Sequence, residues 1–268
     1  MMKVKNKTIL VTGAGSGIGR ALCQRLISKN ARVIGLDMNA DALEETKKIC
    51  GVGKDKFMSV ICSVTDEKRI SELPKEINDS FGPVDGIINN AGIIQKFVMI
   101  KDLSIEDVRK VMDVNFYGTV YMIKAFLPSL LQRPEAHIVN ISSMGGFLPV
   151  PGQSIYGASK AAVKLMTEGL YSELQDTGVR VTVIFPGAVE TNISVNSGLD
   201  VPTTSADAAK FKALKPEAAA TKIIEKKKKN AFRATVGPDA SFLDKLYRLS
   251  PVYATNFIRK KMSSLLKQ

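Results

Sequence analysis

A glycine-rich stretch near the N-terminus constrains the fold more than any other part of this chain. Thr8–Val11 is a short run of β-forming residues that predicts a buried strand. Thr12–Gly19 follows with a glycine at every second position, and an amphipathic helix is predicted from about Arg20 to Lys29. Glycines let a backbone approach a pyrophosphate closely, and a helix N-terminus offers unpaired N–H groups. The stretch therefore predicts a dinucleotide-binding turn.

The end of the next predicted strand indicates which dinucleotide would bind. This strand covers residues 31–36 and ends at Asp37, about 20 residues after the glycine turn. A carboxylate there accepts hydrogen bonds from a ribose 2′-hydroxyl and repels a 2′-phosphate, so Asp37 favours NAD over NADP. A second role for Asp37, as the cap of a helix before Asn39, is compatible with the first.

Strands and helices continue to alternate along the chain. Further strands are predicted at 56–62, 84–88, 136–141, 179–185 and 233–236, and helices at 66–81, 103–131, 154–177 and from about 216 to 229. This alternation predicts an α/β fold, with a parallel sheet covered by helices on both faces. A chain of 268 residues can form such a fold as one domain.

Tyr156 and Lys160 are the residues that most suggest catalysis. They are four positions apart at the start of a predicted helix, so both side chains share one face. A free tyrosine has a pKa of about 10, and a nearby ammonium group lowers that pKa by favouring the phenolate. The pair is suited to proton transfer, with Ser143 close enough to bind a substrate oxygen. The alternative is an exposed helix start with no chemical role.

Several motifs together resemble the short-chain dehydrogenase/reductase family. In the family's order and spacing, over about residues 5–191, they are Thr12–Gly19, Asn89–Gly92, Asn115, Ser143, Tyr156 with Lys160, and Pro186-Gly187. The resemblance implies a single Rossmann-type domain, with a doubly wound parallel sheet in three α/β/α layers. It also implies hydride transfer between a nicotinamide and a carbonyl or alcohol carbon.

The resemblance implies a role for each matching residue of the catalytic set. Tyr156 would act as general acid and base, while Lys160 would lower the tyrosine pKa and hold the nicotinamide ribose. Ser143, rather than Ser142, would polarise the substrate oxygen. Asn115 would hold a water in a proton relay through Lys160.

The same resemblance implies a set of cofactor-binding residues, with NAD as the expected cofactor and NADP left open. The set is Gly13, Ser16, Gly17, Ile18, Gly19, Asp37, Ser63, Val64, Asn90, Tyr156, Lys160, Val189 and Thr191. Ser63 departs from the family, which usually has an acidic residue there to contact the adenine amino group. A hydroxyl accepts a weaker hydrogen bond than a carboxylate. No metal is expected, because the three cysteines lack ligand spacing and His137 is the only histidine.

The substrate side is less well defined by the sequence. Residues 188–216 are rich in small and polar side chains and long for a connection, which predicts a substrate loop that closes as a lid. Between Ser143 and Tyr156 lie candidate pocket-wall residues that are mostly apolar: Met144, Phe147, Leu148, Val150 and Gln153. They favour an apolar or lipid-like secondary alcohol or ketone. The alternative is that they only pack the loop.

The positive charge is concentrated near the C-terminus. The chain carries +12 in total, and residues 222–268 hold 12 basic and 3 acidic residues. We therefore divide the chain into a catalytic domain, 1–238, and a basic amphipathic helical extension, 239–268, with helices at 241–249 and 252–266. Lys226–Lys229 is expected to be a solvated helix end. For the extension, packing on its own body or a partner subunit is favoured over a membrane surface. No motif supports nucleic-acid binding.

Partners and location follow from the same observations. The resemblance implies a homodimer or homotetramer formed through the helices at 115–131 and 154–177. With no signal peptide and no long apolar run, we expect a cytoplasmic protein. The leading hypothesis is an NAD-preferring oxidoreductase with a small-molecule substrate. The alternative is a catalytically inactive dinucleotide-binding regulatory protein, against which the intact catalytic set argues.

Overall fold

Runs of buried aliphatic residues form the strands, as expected for a sheet that is covered on both faces. A computed structural model describes residues 4–199, 213–228 and 230–262. Over these residues seven strands form one sheet in the order β3-β2-β1-β4-β5-β6-β7, and every pairing is parallel. The strands are β1 (Thr8–Thr12), β2 (Arg32–Asp37), β3 (Phe57–Ile61), β4 (Gly86–Asn89), β5 (Ala136–Ile141), β6 (Val179–Pro186) and β7 (Arg233–Val236).

Helices connect the strands and continue beyond the last one. Several begin with a side-chain cap, as at Asp66, whose carboxylate accepts from the Arg69 N–H at 2.9 Å. The helices are α1 (Gly17–Ile27), α2 (Ala40–Cys50), α3 (Glu67–Phe81), α4 (Ile105–Met112), α5 (Gly118–Leu131), α6 (Ser154–Glu173), α7 (Ile193–Asn196), α8 (Pro216–Lys228), α9 (Pro238–Leu249) and α10 (Pro251–Lys261).

Two apolar layers, one on each face of the sheet, hold the fold together. Helices α1 and α8 cover one face, with Leu22, Leu26 and Ile223 fully buried there. Helices α3, α5 and α6 cover the other, where Phe126 and Leu73 are fully buried. The predicted α/β fold, a doubly wound parallel sheet in three α/β/α layers, is confirmed.

The strand order creates a crevice at one edge of the sheet. After β3 the chain crosses to the opposite side of β1, so β1 lies between β2 and β4. The connections that follow β1 and β4 leave in opposite directions from the carboxyl ends of these strands, which opens a space between them. The glycine turn and the segment Asn89–Gly92 therefore lie side by side.

Some element boundaries differ from those that the sequence predicts. Helix α2 was not predicted, and the idea that Asp37 caps it is wrong: the Asn39 side chain accepts from the Ala42 N–H, while Asp37 accepts from the Asn39 N–H. The helical region at 103–131 is interrupted by a π-helical turn at Asp113–Tyr117, which separates α4 from α5. Such turns often occur at functional sites.

The lysine run at the end of α8 is also different from expectation. Lys227 is fully buried, so the run is not simply a solvated helix end. Burial lowers the pKa of Lys227 to about 7. His137 on β5 is fully buried too, and its Nε2 lies 2.9 Å from the Thr182 hydroxyl, which fits a structural role.

The C-terminal helices pack on the body of the protein. Leu243, Ala254 and Ile258 form a small apolar cluster with Leu148, which belongs to the loop before α6. Asp239, in the first turn of α9, accepts from the Ala188 N–H at 2.7 Å. The extension observed covers α9 and α10, and residues 263–268 of the predicted second helix lie outside the described residues. None of the helices in the described ranges is long and apolar enough to cross a membrane.

Candidate active site

A cleft of about 1350 Å³ opens at the carboxyl ends of the central strands. Its walls come from the glycine turn, the ends of β2, β3, β5 and β6, the loop after β4, the first turns of α6, and α4 and α7. The lining includes Ser143 and all of the predicted cofactor-binding set except Gly19. Gly19 and Asn115 lie behind the wall. Residues that are far apart in the sequence are thus brought to one space.

The glycine turn is shaped for an anionic group. Gly13 and Gly17 have φ of +65° and +49°, a left-handed conformation that favours glycine. A β-carbon on Gly19 would collide with the carbonyl oxygen of Gly13. Ser16 precedes α1 but makes no side-chain cap, and the first turn of α1 holds no acidic residue. The N–H groups at the start of α1 are therefore available to a ligand. Together with the glycine conformations they fit a pyrophosphate.

The side chains of Asp37 and Arg20 hold the glycine turn in place through hydrogen bonds. The Asp37 carboxylate lies at the cleft and accepts from the Gly15 N–H at 2.8 Å. The Arg20 guanidinium donates to the Gly15 carbonyl oxygen at 2.6 Å and to the Thr46 hydroxyl at 3.1 Å. The sequence analysis missed Arg20, although a cation within the first helical turn after the glycines was the available signal.

The far end of the cleft lies next to β3. Ser63 and Val64 line it, as predicted, and the Ser63 hydroxyl lies 2.8 Å from the hydroxyl of Thr65. Helix α4 also lines the cleft with acidic and basic side chains that were not predicted from the sequence: Glu106, Arg109 and Lys110. At Ser63 the wall carries a hydroxyl and not a carboxylate.

Ser143, Tyr156 and Lys160 meet on one wall of the cleft. Tyr156 and Lys160 lie one turn apart in α6, and the Lys160 ammonium, which is buried, donates to the carbonyl oxygen of Ile141 at 3.1 Å. A hydrogen bond joins the side chains of Tyr156 and Ser143. The Ser142 hydroxyl instead donates to the Lys160 carbonyl oxygen at 2.7 Å, which commits it to holding α6.

Burial acts on both ionisable groups of this wall. It raises the pKa of Tyr156, and the hydrogen bond with Ser143 acts in the opposite direction. It lowers the pKa of Lys160 to about 8. The sequence predicted that Lys160 would lower the tyrosine pKa. In this structure the group that counteracts burial is Ser143, while the lysine is held on a backbone carbonyl.

Asn115 sits in the π-helical turn and supports the cleft from behind. Its amide oxygen accepts from the Ile93 N–H at 2.8 Å, and its amide nitrogen donates to the Ile93 carbonyl oxygen at 3.0 Å and to the Ser159 hydroxyl at 2.9 Å. The side chain therefore fixes the loop after β4 against α6. The predicted role in holding a relay water stays a prediction.

Gln95 is a second support that the sequence analysis missed. Its amide oxygen accepts from the N–H groups of Ile155 and Tyr156 at 2.8 and 2.9 Å, and its amide nitrogen donates to the Gly152 carbonyl oxygen at 3.1 Å. The Gln153 amide donates in turn to the Gln95 carbonyl oxygen at 2.8 Å. Gln95 is buried and thereby ties the first turn of α6, which carries Tyr156, to the loop after β4.

Helix α7 covers part of the cleft. Asn196 donates to the Ser16 hydroxyl at 2.8 Å, and the Ser197 hydroxyl accepts from the Ile94 N–H at 3.0 Å. Val189 and Thr191 line the cleft just before this helix. Residues 200–212 of the predicted substrate loop lie outside the described residues.

The predicted pocket wall between Ser143 and Tyr156 is wrong. Leu148 is fully buried among the C-terminal helices, and Met144 and Phe147 pack against the same cluster. These side chains are not part of the cleft wall, whose apolar lining in the described residues instead includes Ile93, Ile94 and Ile193. The simpler alternative, that the segment packs its own loop, describes Met144, Phe147 and Leu148 better.

Comparisons with known proteins agree with this geometry. The family model described as short chain dehydrogenase matches residues 7–201. An uncharacterized oxidoreductase from Staphylococcus saprophyticus is 37% identical over 195 residues, which are 72% of this chain and 83% of the relative. A putative oxidoreductase, SadH, from Mycobacterium tuberculosis is 35% identical over 256 residues, which are 93% and 92% of the two chains.

A solved structure is similar over nearly the whole chain. It is a short chain dehydrogenase/reductase from Burkholderia phymatum in complex with NAD, with a TM-score of 0.85 and 26% identity. The similarity covers 94% of this chain and 96% of that one, so it extends beyond residue 201 into the C-terminal part.

Replacing Gln95 by alanine is expected to lower the free energy of unfolding by about 2–4 kcal/mol, because buried N–H and C=O groups lose their partners. Urea unfolding measures the change. Gln175→Ala is the control, since the Gln175 amide bonds to the Tyr171 carbonyl oxygen at an exposed site. A loss no larger than that of the control would show that Gln95 does not hold the start of α6.

Replacing Lys160 by methionine is expected to stabilise the fold at pH 7. The pKa of Lys160 in the folded protein, about 8, lies below the ordinary lysine pKa of 10.5, so the buried ammonium destabilises the folded protein fully below pH 8 and less as the pH rises to 10.5. The expected gain is about 1–3 kcal/mol at pH 7, after the lost hydrogen bond is subtracted, and smaller at pH 10.

Urea unfolding of Lys160→Met and of the unmodified protein, at pH 7 and at pH 10, tests this expectation. Lys164→Met, one turn further along α6, controls for loss of a cation from the same helix. An equal difference between Lys160→Met and the unmodified protein at pH 7 and pH 10 would contradict the assignment of the cost to the Lys160 charge.

Proposed function

Because the chain belongs to the short-chain dehydrogenase/reductase family, we propose that it transfers a hydride between a nicotinamide dinucleotide and the carbon of a secondary alcohol or ketone. One observation carries the proposal. Ser143, Tyr156 and Lys160 share one wall of a cleft whose other end is a glycine turn without acidic residues. A proton-transfer group and an anion-binding turn in one space are what such a reaction needs.

The residues present fit a dinucleotide. The glycine turn, with Ser16 to Ile18, would hold the pyrophosphate, and Asp37 would accept from the ribose hydroxyls next to adenine. Ser63 and Val64 would face the adenine. The residues assigned to the nicotinamide end are Asn90, Tyr156, Lys160, Val189 and Thr191. When bound, the nicotinamide supplies or accepts the hydride.

Tyr156 is assigned the proton transfer. Its raised pKa keeps the phenol protonated at neutral pH, as a proton donor to a ketone oxygen requires. Ser143 shares a hydrogen bond with Tyr156 and would bind the same substrate oxygen. Lys160, with a pKa of about 8, is mostly a cation at pH 7, and its charge favours the phenolate that remains after the proton has moved.

Asn115 is assigned a positioning role beside this pair. A β-carbon at Gly92 would come within 3.0 Å of the Lys160 Nζ and 3.1 Å of the Asn115 Oδ1, so both polar groups border the same small space. A relay water between them would be the continuation of the proton path. The bonds of Asn115 to Ile93 support fixation of the loop as its first task.

Substrate class and cofactor preference are the finer parts of the proposal. Ile93, Ile94 and Ile193 give the cleft an apolar lining, which supports an apolar or lipid-like substrate. The carboxylate of Asp37 supports a preference for NAD over NADP. Similar solved structures hold either cofactor: the one from Burkholderia phymatum is in complex with NAD, and a serine dehydrogenase, 31% identical with a TM-score of 0.74, is complexed with NADP+. The preference therefore rests on Asp37.

The alternative of a catalytically inactive regulatory protein has less support. The Lys160 ammonium is buried against a carbonyl oxygen, and burial of this charge disfavours the folded state. Holding the nicotinamide ribose would give Lys160 a use in a protein that only binds the dinucleotide, whereas Tyr156 placed beside Ser143 has no evident use there. The proposal includes a cytoplasmic enzyme, for which the free thiols of Cys23, Cys50 and Cys62 are suited.

We further propose that the protein forms a homodimer or homotetramer through α5 and α6. Large apolar or aromatic side chains are exposed on these helices and next to them, where a partner subunit would cover them: Tyr117, Leu131 and Leu165. Tyr117 stacks on Tyr121 across 6.3 Å between ring centroids, which gives this surface an ordered aromatic element.

Replacing Tyr156 by phenylalanine is expected to reduce turnover by at least about 100-fold, because the proton donor is lost while the ring remains. NADH binding is expected to change by less than about threefold, since the hydroxyl contributes little to binding. A steady-state assay measures turnover, and fluorescence titration with NADH measures binding. Tyr171→Phe, on the same helix, is the control. A loss of binding as large as the loss of rate would show that Tyr156 is structural.

Replacing Asp37 by alanine is expected to reduce the ratio of kcat/KM for NAD to kcat/KM for NADP by about tenfold or more. The variant loses a charged acceptor for the ribose hydroxyls of NAD and a charge that repels the 2′-phosphate of NADP. The kcat/KM values for the two cofactors measure the ratio. Asp37→Asn keeps an acceptor for the Gly15 N–H and separates support of the turn from the charge effect. Unchanged selectivity in both variants would refute the role of Asp37.

A further inference from the structure

The joint between α9 and α10 exposes a compact group of apolar side chains. Leu249 is 85% exposed, Val252 74% and Tyr253 59%, and all three lie within five residues of one another around Ser250 and Pro251. We name residues 249–253 the elbow. Phe242, on α9, is 53% exposed, and its ring lies 6.5 Å from that of Phe257. Exposed apolar groups this close together commonly mark an interaction surface.

The elbow is separate from the apolar contacts that anchor the two helices. Leu243, Ala254 and Ile258 are buried against Leu148 and fix α9 and α10 to the body. The extension thus packs on the body of the protein through these three residues, and the elbow side chains take no part in that packing. Their exposure needs a different explanation.

The exposed charges on the two helices that meet at the elbow are positive. The cations are Lys245, Arg248, Arg259, Lys260 and Lys261, all of them exposed. Residues 238–262 contain two acidic residues. Asp239 is buried and bonded to the Ala188 N–H, and Asp244 is paired with Arg233 at 3.0 Å and with Arg248 at 3.4 Å. Five exposed cations and one partly exposed carboxylate leave the outer surface of these helices basic.

We infer that the elbow inserts into the surface of an anionic lipid bilayer, with the exposed cations of α9 and α10 against the lipid phosphates. An apolar tip that joins two basic helices matches a membrane interface, where acyl chains lie beneath anionic headgroups. Each basic residue near such a surface adds to the attraction. Tyr253 has the amphipathic ring that is enriched at this depth.

A second copy of this chain fits the elbow less well. In a twofold interface the same patch meets itself, so the five cations would face five like charges. An anionic bilayer offers the opposite charge over any area. This charge complementarity decides the occupant in favour of lipid.

The position of the elbow connects lipid binding with the site. Helix α9 packs against the turn Met144–Gly146, which directly follows Ser143. An enzyme held at a bilayer would draw an apolar substrate from the membrane. That connection rests on the proposed function, whereas lipid binding itself does not.

Co-sedimentation of the full chain with vesicles tests the inference. Vesicles of phosphatidylglycerol mixed with phosphatidylcholine are compared with vesicles of phosphatidylcholine alone. Binding is expected to the anionic vesicles, and at least tenfold less binding to the neutral ones, which lack the opposite charge. High salt should weaken binding to the anionic vesicles, because salt screens the attraction between charges. Absence of binding to anionic vesicles, or equal binding to both kinds, overturns the inference.

Two variants separate the elbow from general basicity. Leu249→Glu combined with Val252→Glu is expected to weaken binding at least about tenfold, because two apolar side chains no longer enter the bilayer. Replacing Arg259, Lys260 and Lys261 by glutamine is expected to weaken binding to anionic vesicles at least about tenfold. Ile49→Glu, on exposed α2, is the control and should bind as the unmodified chain does. Elbow variants that bind normally overturn the inference.

The oligomeric state and cofactor binding complete the test. Analytical ultracentrifugation should give the same assembly for the elbow variant and the unmodified chain, and a shift to a smaller species would assign the elbow to a second copy instead. NADH binding and turnover of a water-soluble ketone should be unchanged in the elbow variant. Vesicle binding and turnover are measured separately. Absence of vesicle binding by the unmodified chain would therefore count against the elbow alone, and absence of turnover would count against the proposed reaction alone.

Discussion

The contact between the glycine turn and the loop after β4 is the interaction on which the candidate site depends. The Thr12 hydroxyl accepts from the N–H groups of Asn90 and Ala91, both at 3.0 Å, and the Asn90 amide donates to the Thr12 carbonyl oxygen at 3.0 Å. These bonds join two loops that diverge at the crevice of a doubly wound sheet. The close approach also requires Gly19, since a β-carbon there would occupy the space of the Gly13 carbonyl.

Burial of the Lys160 charge disfavours the folded state at the proposed site of proton transfer. Lys160 is buried, and its ammonium donates to the carbonyl oxygen of Ile141. Hydrogen bonds of neighbouring side chains offset this arrangement: Ser142 fixes the lysine backbone, and Asn115 and Gln95 hold the facing loop and the first turn of α6. The wall that carries Ser143, Tyr156 and Lys160 is held in place because its supports are buried and hydrogen-bonded.

The local sequence was sufficient where structure is set by neighbouring residues. Aliphatic runs located β5 and β7 at the observed residues, and the spacing of Tyr156 and Lys160 placed both on one face of α6. Contacts across distant segments were not accessible in this way. Gln95 bonds to groups some sixty positions away, and Met144 packs against helices at the end of the chain, so neither environment is written in a local pattern. Lys227 looked solvated within a lysine run, although tertiary packing buries it.

Titration of the purified protein with NADH and NADPH by fluorescence, followed by turnover of a panel of ketones and secondary alcohols, tests the central claim most directly. The account predicts saturable binding of NADH, tighter than that of NADPH, and turnover of an apolar member of the panel. Binding without turnover across a broad panel would contradict the assignment of Tyr156 and Lys160 as a reactive pair. Absence of binding of either cofactor would contradict the assignment of the glycine turn itself.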